Sequence, residues 1–234
     1  MRFWGLMAFA LWGAQASAEI VEARYDAPTT RYAHGVLGDD VEYGALVLKT
    51  KSGTRLRLTL PDTQVFEDIA PRLIDLDHDG EPEVVTILSD ARLGAALAIY
   101  GEEGLITKTP HIGRAFRWLA PLGAGDLYGD GDMILAYVDR PHLAKVLRLW
   151  RYKDRRLTAV DSVPNLTAHA IGHDYISGGI VECGNGDEVI AVDANWTRVM
   201  SIVFTDGAPV IRPLTTYKNR ATMDAALACK FHQN

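Results

Sequence analysis

Residues 83–100 read Glu-Val-Val-Thr-Ile-Leu-Ser-Asp-Ala-Arg-Leu-Gly-Ala-Ala-Leu-Ala-Ile-Tyr, and this stretch decides the fold. Two runs of apolar, β-branched and aromatic residues flank a short segment that contains Asp90 and Gly94, which is the pattern of two antiparallel strands joined by a turn. Similar short runs recur along the chain, each bounded by Gly, Pro or Asp, and helical periodicity is nearly absent. The sequence therefore predicts an all-β fold.

The pattern of residues 83–100 occurs twice more. Asp90, Asp139 and Asp193 each end a strand-like run that a second run follows, and they lie about fifty residues apart. An earlier, less regular copy covers residues 32–66. Four strands in this period are typical of a propeller blade, and such small sheets must stack to share a core. We predict a β-propeller-like array of about four to five four-stranded blades, with a β-sandwich as the alternative.

The same signals place the individual elements. Strands are predicted at residues 44–49, 55–60, 83–88, 95–100, 133–138, 146–152, 189–192 and 199–204, with looser outer strands at 105–109 and 157–161. The stretch that precedes each first strand is interpreted as a glycine-rich loop. An alanine-rich helix is expected at residues 220–230.

The first eighteen residues have the features of a cleaved secretory signal. Arg2 precedes an uncharged apolar run at residues 3–12, and Ala16-Ser-Ala18 is a small-x-small cleavage site before Glu19. The apolar run is too short to span a bilayer as a permanent helix, although an uncleaved anchor is the alternative. We therefore expect a signal peptide at residues 1–18, a propeller domain at 19–217 and a C-terminal tail at 218–234. The protein would be periplasmic or secreted, with no membrane span after cleavage.

Composition excludes one class of partner. The formal net charge is −6, and a nucleic-acid binder would need a positive face to displace counterions. Hydrophobic residues make up 48% of the chain, which is enough for a buried core. We expect a monomer.

Two cysteines, Cys183 and Cys229, are present. In an oxidising compartment an even pair favours a disulfide, which would tie the C-terminal tail to the body of the domain. Two buried free thiols are the alternative. The pair has neither the spacing of a zinc site nor that of a redox CxxC motif.

The sharpest motif is Asp75-Leu-Asp-His-Asp-Gly-Glu-Pro-Glu83. Asp75, Asp77 and Asp79 can converge on one ion if the chain curls, and Gly80 tolerates the positive φ that such a turn needs. The Glu83 side chain and a main-chain carbonyl could complete an all-oxygen shell of the kind that calcium prefers. The alternative is a solvated acidic turn, since Asp and Gly are common turn residues.

A damaged copy of this motif occurs in the next unit as Asp126-Leu-Tyr-Gly-Asp-Gly-Asp132. Tyr128 replaces the second carboxylate and Ile134 replaces the final acid. Asp126, Asp130 and Asp132 are therefore a weaker second candidate for a metal site, and a plain turn is favoured. The last unit keeps Gly184-Asn-Gly-Asp-Glu188 without the preceding aspartates, which predicts a plain turn.

The DxDxDG loop that leads into Glu83-Val-Val-Thr-Ile, repeated at blade-like spacing, resembles the FG-GAP/VCBS repeats, whose best-known members are integrin α-subunit propellers. The resemblance covers roughly residues 30–215 and is strongly specific only at residues 75–83. It implies calcium held by Asp75, Asp77, Asp79 and Glu83, and a propeller used for protein or carbohydrate contacts. The other units depart from the pattern, and no Phe-Gly…Gly-Ala-Pro string is intact.

No catalytic motif stands out. The chain lacks the spacing of HExxH, the GxSxG elbow and a glycine-rich phosphate loop. Five histidines invite a metal or general-base interpretation but are more typical of turn or core residues: His34, His111, His142, His169 and His173. A binding face could use Trp118, Arg140, Trp150, Arg151, Trp196 and Arg198, although strand packing is favoured for each tryptophan.

These observations together favour an exported, calcium-stabilised, non-catalytic propeller that binds a protein or glycan ligand. A secreted propeller hydrolase with a site at the central channel is the alternative, because propellers can bring distant carboxylates together. An accessible cluster of histidines and carboxylates would favour the enzyme, and an apolar or plugged centre would favour the binding module.

Overall fold

The computed structural model describes residues 19–232, and about half of these residues lie in strands. In chain order they are β1 (Ile20–Thr29), β2 (Glu42–Thr50), β3 (Arg55–Thr59), β4 (Gln64–Phe66), β5 (Arg72–Ile74), β6 (Glu83–Asp90), β7 (Gly94–Gly101), β8 (Gly104–Lys108), β9 (Leu119–Gly125), β10 (Ile134–Asp139), β11 (Val146–Lys153), β12 (Arg156–Pro164), β13 (Leu166–Thr167), β14 (Gly179–Glu182), β15 (Asp187–Asp193), β16 (Arg198–Thr205) and β17 (Ala208–Thr216). Helix α1 (Arg220–Leu227) follows them. The predicted all-β fold is confirmed. The predicted signal peptide, residues 1–18, lies outside the described residues.

Antiparallel pairing groups the strands into three sheets, and the eight-stranded first sheet is divided here into units 1 and 2 at the pairing of β2 with β4. In unit 1, β2 pairs with β1 and β3, and in unit 2, β6 pairs with β4, β5 and β7, while β7 pairs with β8. Unit 3 is the four-stranded sheet β9–β10–β11–β12. In unit 4, β15 pairs with β13, β14 and β16, while β16 pairs with β17. Units 2 to 4 therefore repeat one topology, in which a first strand, continuous or split, precedes three successive antiparallel strands.

The first strand of each repeat differs from the glycine-rich loop expected from the sequence. In unit 3 it is the continuous strand β9, which contains Pro121 and Gly125 and lies at the edge of its sheet, where proline costs no ladder hydrogen bond. A Cβ at Gly125 would lie 2.6 Å from Oδ2 of Asp187, so unit 4 approaches the strand closely. In units 2 and 4 the first strand is split, and residues 67–71 and 168–178 leave the ladder between its halves.

The main hydrophobic core is shared between neighbouring units. Strand β10 is buried at every position and β6 at all but its last, so both faces of these strands are covered. The same core cluster contains Ile99 of unit 2, Leu149 of unit 3 and Val189 of unit 4. Each fully buried side chain of this size contributes about 2 kcal/mol relative to an exposed one, so the stacking of units stabilises the fold.

Unit 1 differs from the predicted copy at residues 32–66. It contains an additional strand, β1, which lies before the predicted copy and whose alternation of exposed and partly buried residues is only a weak signal of a strand. Strand β4, which lies within the predicted copy, instead pairs with β6 and belongs to unit 2. The backbone of the two units is joined by a single residue pair, Tyr43 with Phe66. Side chains from both units, including Leu46 and Val84, form a second hydrophobic cluster around this junction.

The C-terminal tail forms the predicted helix. The side chain of Asn219 caps α1 by accepting a hydrogen bond from the amide of Thr222. The buried face of the helix, Met223 and Ala226, belongs to a third cluster with residues of β15 and β16. In the described part of the chain, no helix reaches the length and apolarity that a membrane crossing requires.

The predicted disulfide between Cys183 and Cys229 is confirmed. The two Cα atoms lie 5.5 Å apart, and the bridge joins the turn before β15 to the residues after α1. It closes a loop across 46 residues of sequence and fixes the tail to unit 4.

Candidate metal loops and a histidine-lined cleft

The loop between β5 and β6 holds three carboxylates close together. Its backbone curls so that the amide of Gly80 donates to Oδ2 of Asp75 at 3.0 Å and the amide of Glu81 donates to Oδ1 of Asp79 at 2.7 Å. Gly80 has φ of 88°, the left-handed conformation that the sequence anticipated. Carboxylate oxygens of Asp75, Asp77 and Asp79 all lie within 4.8 Å of one another.

The charge of this loop is not balanced by a neighbouring cation. Among residues 19–232, no salt bridge reaches Asp75, Asp77 or Asp79. Burial, followed by the charges of Asp79 and Asp75, raises the pKa of Asp77. Oδ1 of Asp75 is buried without a hydrogen-bond partner in the described structure. An unpaired buried oxygen beside two more carboxylates fits a hard divalent cation such as calcium.

Glu83, the predicted fourth ligand, lies apart from this group. Its Oε2 accepts a hydrogen bond from the amide of Leu76 at 3.0 Å, so the side chain spans the base of the loop. Burial is the main cause that raises the pKa of Glu83. Tyr152 of unit 3 is close enough that the charges of Glu83 and Asp77, after burial, help raise its pKa to about 12. The loop therefore sits against the neighbouring unit.

The second predicted site, in the loop between β9 and β10, has the same backbone design but a different charge balance. Oxygens of Asp126 accept hydrogen bonds from the amides of Asp130 and Gly131, both at 3.0 Å. The guanidinium of Arg151 donates to Asp130 at 2.7 Å and to Asp132 at 2.5 Å.

Lys153 adds a second positive charge to this loop. Its ammonium lies 3.1 Å from both carboxylate oxygens of Asp132. Arg151 is the first cause that lowers the pKa of Asp130 and of Asp132. Two basic side chains of β11 thus stand where a metal ion would balance these aspartates.

The corresponding turn of unit 4, residues 183–187, carries the disulfide instead. Oδ2 of Asp187 accepts a hydrogen bond from the amide of Asp126 at 2.7 Å, so this turn is bonded to the second loop. His232 lies near Cys183 and Cys229. Both sulfur atoms are in the disulfide and offer no thiolate to a metal.

A cleft lies at the opposite ends of the strands from the metal loops of units 2 and 3. Its cavity volume is about 200 Å³. Its lining comes from four separate segments and consists of His34, Val36, Phe116, Arg117, Trp118, Arg140, Pro141, His142, Leu143 and Ile171. The predicted binding-face residues Trp118 and Arg140 are among them. Trp150 lies elsewhere and donates to the hydroxyl of Tyr137.

The histidines of the cleft are held by buried partners. Nδ1 of His34 is hydrogen-bonded to Oε1 of Glu67, which is fully buried and also accepts from the hydroxyl of Ser89. Nε2 of His142 lies 3.0 Å from Nδ1 of His169, whose Nε2 donates to the carbonyl of His173 at 2.8 Å. The imidazole rings are therefore oriented by a second layer of hydrogen bonds.

Buried carboxylates surround the His34 side of the cleft. Glu42 is 2% exposed, and its Oε2 has no hydrogen-bond partner in the described structure. Burial, followed by the charge of Glu67, raises the pKa of Glu42 to about 9, so this side chain is a neutral acid at pH 7. Asp68 is paired with Arg72 at 2.7 Å, although burial raises its pKa as well.

Sequence reasoning did not single out these carboxylates. Glu42 opens an apolar strand, and Glu67 and Asp68 directly follow the buried residue Phe66. A charged residue at the edge of a buried run is the one local signal that could have found them. The contact of Glu67 with His34 depends on pairing between units 1 and 2.

No family model matches the chain. No curated protein matches it either. The solved structures with some similarity include an exo-β-1,3-galactanase from Phanerochaete chrysosporium with β-1,3-galactotriose. That comparison gives a TM-score of 0.43 and 13% identity, and covers 84% of this chain and 49% of that chain.

A complex of the fission yeast SREBP-SCAP binding domains is also similar. It gives a TM-score of 0.39 and 10% identity, and covers 91% of this chain and 53% of that chain. The chain spans about half the length of both matched chains. At these TM-scores neither structure supports an inference about this protein.

Proposed function

We propose that the protein is an exported, calcium-stabilised, non-catalytic β-propeller-like module of the FG-GAP/VCBS type that binds a protein or glycan ligand. The repeated topology of units 2 to 4, with a core shared between neighbouring units, supports the propeller-like arrangement. The disulfide supports an oxidising location such as the periplasm or the medium.

The observation that carries the calcium proposal is the uncompensated acidic loop. Asp75, Asp77 and Asp79 bring three carboxylates together, and the buried Oδ1 of Asp75 lacks a partner among the described residues. A bound ion would lower the repulsion among these groups and so stabilise the folded state by mass action. The ion has a structural role in this proposal, and ligand binding belongs to the cleft.

Thermal unfolding with calcium and with a chelator tests the metal proposal. At a calcium concentration of about 100 times Kd, the stabilisation is about 2.7 kcal/mol, which raises Tm by roughly 5–10 °C for a domain of this size. Asp77→Ala should remove this response, whereas the matched variant Asp130→Ala, in the loop with Arg151, should keep it. Equal Tm values with calcium and with chelator would contradict the proposal.

A secreted hydrolase is the second candidate, and one observation favours it. The cleft contains His34, which is bonded to buried Glu67, and Glu42 nearby is held as a neutral acid. A histidine bonded to a buried carboxyl group, with a neutral carboxylic acid nearby, contains the usual components of general acid and base catalysis.

Assays with p-nitrophenyl glycosides and p-nitrophenyl acetate distinguish the two candidates. Turnover that Glu67→Gln and His34→Ala both abolish, and that Leu105→Ala leaves unchanged, would establish the enzyme and end the non-catalytic proposal. The non-catalytic module predicts release of p-nitrophenol at the same rate with wild type and with both cleft variants.

A further inference from the structure

The cleft lined by His34, Phe116, His142, Leu143 and Ile171 has a polar floor and an apolar rim. The inference drawn from it rests on the proposed binding function and concerns the chemistry of the ligand. The floor consists of imidazole rings held by buried partners. The rim consists of large hydrophobic side chains that are open to solvent.

The hydrogen-bond chain fixes which nitrogen of His142 carries the proton. The carbonyl of His173 can only accept, so Nε2 of His169 donates to it. Burial lowers the pKa of His169, which leaves its Nδ1 as an acceptor for the N–H of His142. Burial, with the neighbouring His169 and His34, lowers the pKa of His142 to about 4. His142 is therefore neutral at pH 7, and its Nδ1 is a hydrogen-bond acceptor.

His34 supplies the second polar group of the floor. Its Nδ1 is committed to Glu67, and in the described structure Nε2 has no protein partner. The backbone amide of Phe116 donates to the hydroxyl of Tyr32 at 2.7 Å, and the two rings stack with centroids 4.9 Å apart. The floor and the aromatic part of the rim are thus held in place before any ligand binds.

The rim of the cleft brings three exposed hydrophobic side chains together. Ile171 is 73% exposed, Leu143 is 63% exposed and Phe116 is 48% exposed, and Ile171 and Leu143 are the two most exposed large hydrophobic residues of the described chain. A concentration of such side chains around one cleft is typical of a surface that contacts a protein. A sugar would place many of its hydroxyl groups against this rim without partners, at a cost in desolvation.

We propose that this cleft is a docking pocket for a tyrosine side chain presented by a protein partner. The phenol ring packs against Phe116, Leu143 and Ile171, and its hydroxyl donates to Nδ1 of His142 and lies beside Nε2 of His34. Tyrosine is common among the residues that anchor protein interfaces, because it combines a large apolar ring with one polar group.

The test uses two amides that differ by one hydroxyl. Binding of N-acetyltyrosinamide and N-acetylphenylalaninamide is measured by NMR titration of the imidazole carbon-bound protons. The tyrosine amide should bind at least about fivefold more tightly, since the phenylalanine amide leaves the acceptor of His142 unpaired. Equal affinity for the two amides, or binding of neither, would overturn the proposal.

Two kinds of variant separate the floor from the rim. His142→Ala should reduce the ratio of the tyrosine-amide affinity to the phenylalanine-amide affinity to about one. Ile171→Ala should weaken the binding of both amides by a similar factor and leave that ratio unchanged. Leu105→Ala, an exposed leucine on β8, is the matched control and should change neither affinity. Ile171 is so exposed that its variant should fold, and thermal unfolding verifies the His142 variant.

Further ligands distinguish a protein partner from other sources. p-Cresol carries the phenol without a peptide backbone and should bind more weakly than the tyrosine amide, and methyl galactoside should not compete. If p-cresol binds as tightly as the tyrosine amide, or if the galactoside displaces the amide, the proposal of a protein partner is wrong. Failure of this test with an intact calcium response would remove the tyrosine pocket and leave the calcium-stabilised module standing.

Discussion

The loops at residues 75–83 and 126–134 share a backbone design and balance their charges in opposite ways. Each contains aspartates whose oxygens accept amide hydrogen bonds from the glycine turn. In unit 3, Arg151 of β11 pairs across the sheet with Ile134 and reaches the aspartates. In unit 2, Val84 pairs with Tyr100, so the next position, opposite Glu83, belongs to Gly101, which has no side chain.

If the acidic loop of unit 2 binds calcium as proposed, one residue of the neighbouring strand decides whether such a loop needs an ion. A guanidinium at this position neutralises the carboxylates permanently, while glycine offers the aspartates of unit 2 no positive charge. The turn of unit 4 has neither and is held by Cys183 and Cys229. Units 3 and 4 thus secure the same connection by different means, and in our proposal a bound ion is the third means, in unit 2.

The largest effect should come from unit 4. Replacing Cys183 and Cys229 together by serine should lower the free energy of unfolding by about 4 kcal/mol, because the unfolded chain is no longer closed across 46 residues. Urea unfolding of the oxidised wild type and of the double variant measures the difference. The variant should retain the calcium response of unit 2, and loss of that response would show that the three connections are not independent.

The charge balance of unit 3 should be transferable to unit 2. Gly101→Arg together with Glu103→Lys places two cations where Arg151 and Lys153 stand in the other loop. The calcium-dependent stabilisation, about 2.7 kcal/mol at 100 times Kd, should disappear. Leu105→Lys adds positive charge on β8 away from the loop and should leave the response intact. A double variant that still responds to calcium would show that these two basic side chains do not replace the ion.

The reverse change tests unit 3. Arg151→Ala removes the salt bridges to Asp130 and Asp132 and a cation–π contact with Tyr128, so the free energy of unfolding should fall by about 1 kcal/mol. Arg148→Ala, which removes only a 3.6 Å salt bridge with Asp139, should lower the free energy of unfolding by less. Chemical unfolding in the presence of chelator gives both values, and equal losses would count against a special role for Arg151.

The smallest effect concerns pH in the absence of calcium. The raised pKa of Asp77 means that its contribution to stability falls as the pH rises from about 3.9 through the folded-state value. The lowered pKa of Asp132 means the opposite, a contribution that is present above about 3.9 and is lost as the pH falls through the folded-state value.

Neutral variants should therefore act in opposite directions at pH 7. With chelator present, Asp77→Asn should raise Tm and Asp132→Asn should lower it. The Asp77→Asn difference should vanish near pH 3, where this carboxyl group is protonated in both the folded and the unfolded chain. The Asp132→Asn difference should persist to lower pH and shrink as the pH falls through the lowered folded-state pKa. Changes of the same sign would show that the loops do not differ in charge balance.

Local sequence was sufficient for the elements that depend on neighbouring residues. The strands around Asp90 and Asp139 and the curl of the Asp75 loop were predictable, because periodicity and turn chemistry act within a few residues. Strand β9 was missed because Pro121 and its glycines resemble a loop, and only its position at a sheet edge makes them acceptable.

The cleft could not be predicted for a different reason. His34, Phe116 and His142 come from separate segments, and their approach depends on the pairing and stacking of units 1, 2 and 3. The sequence gives no measure of that approach. Charge compensation by Arg151 was also hidden, since it requires knowledge of which residue of β11 lies opposite Ile134.

The single backbone pair between Tyr43 and Phe66 gives the molecule a preferred place to come apart. Units 1 and 2 are held together elsewhere by side chains of the second hydrophobic cluster and by hydrogen bonds between Tyr25 and Thr86 and between His34 and Glu67. Strands β1 to β3 can therefore detach without breaking the ladders of units 3 and 4. Amide hydrogens of this N-terminal sheet would then exchange through a partial opening, before those of β10, whose release requires unfolding of the shared core.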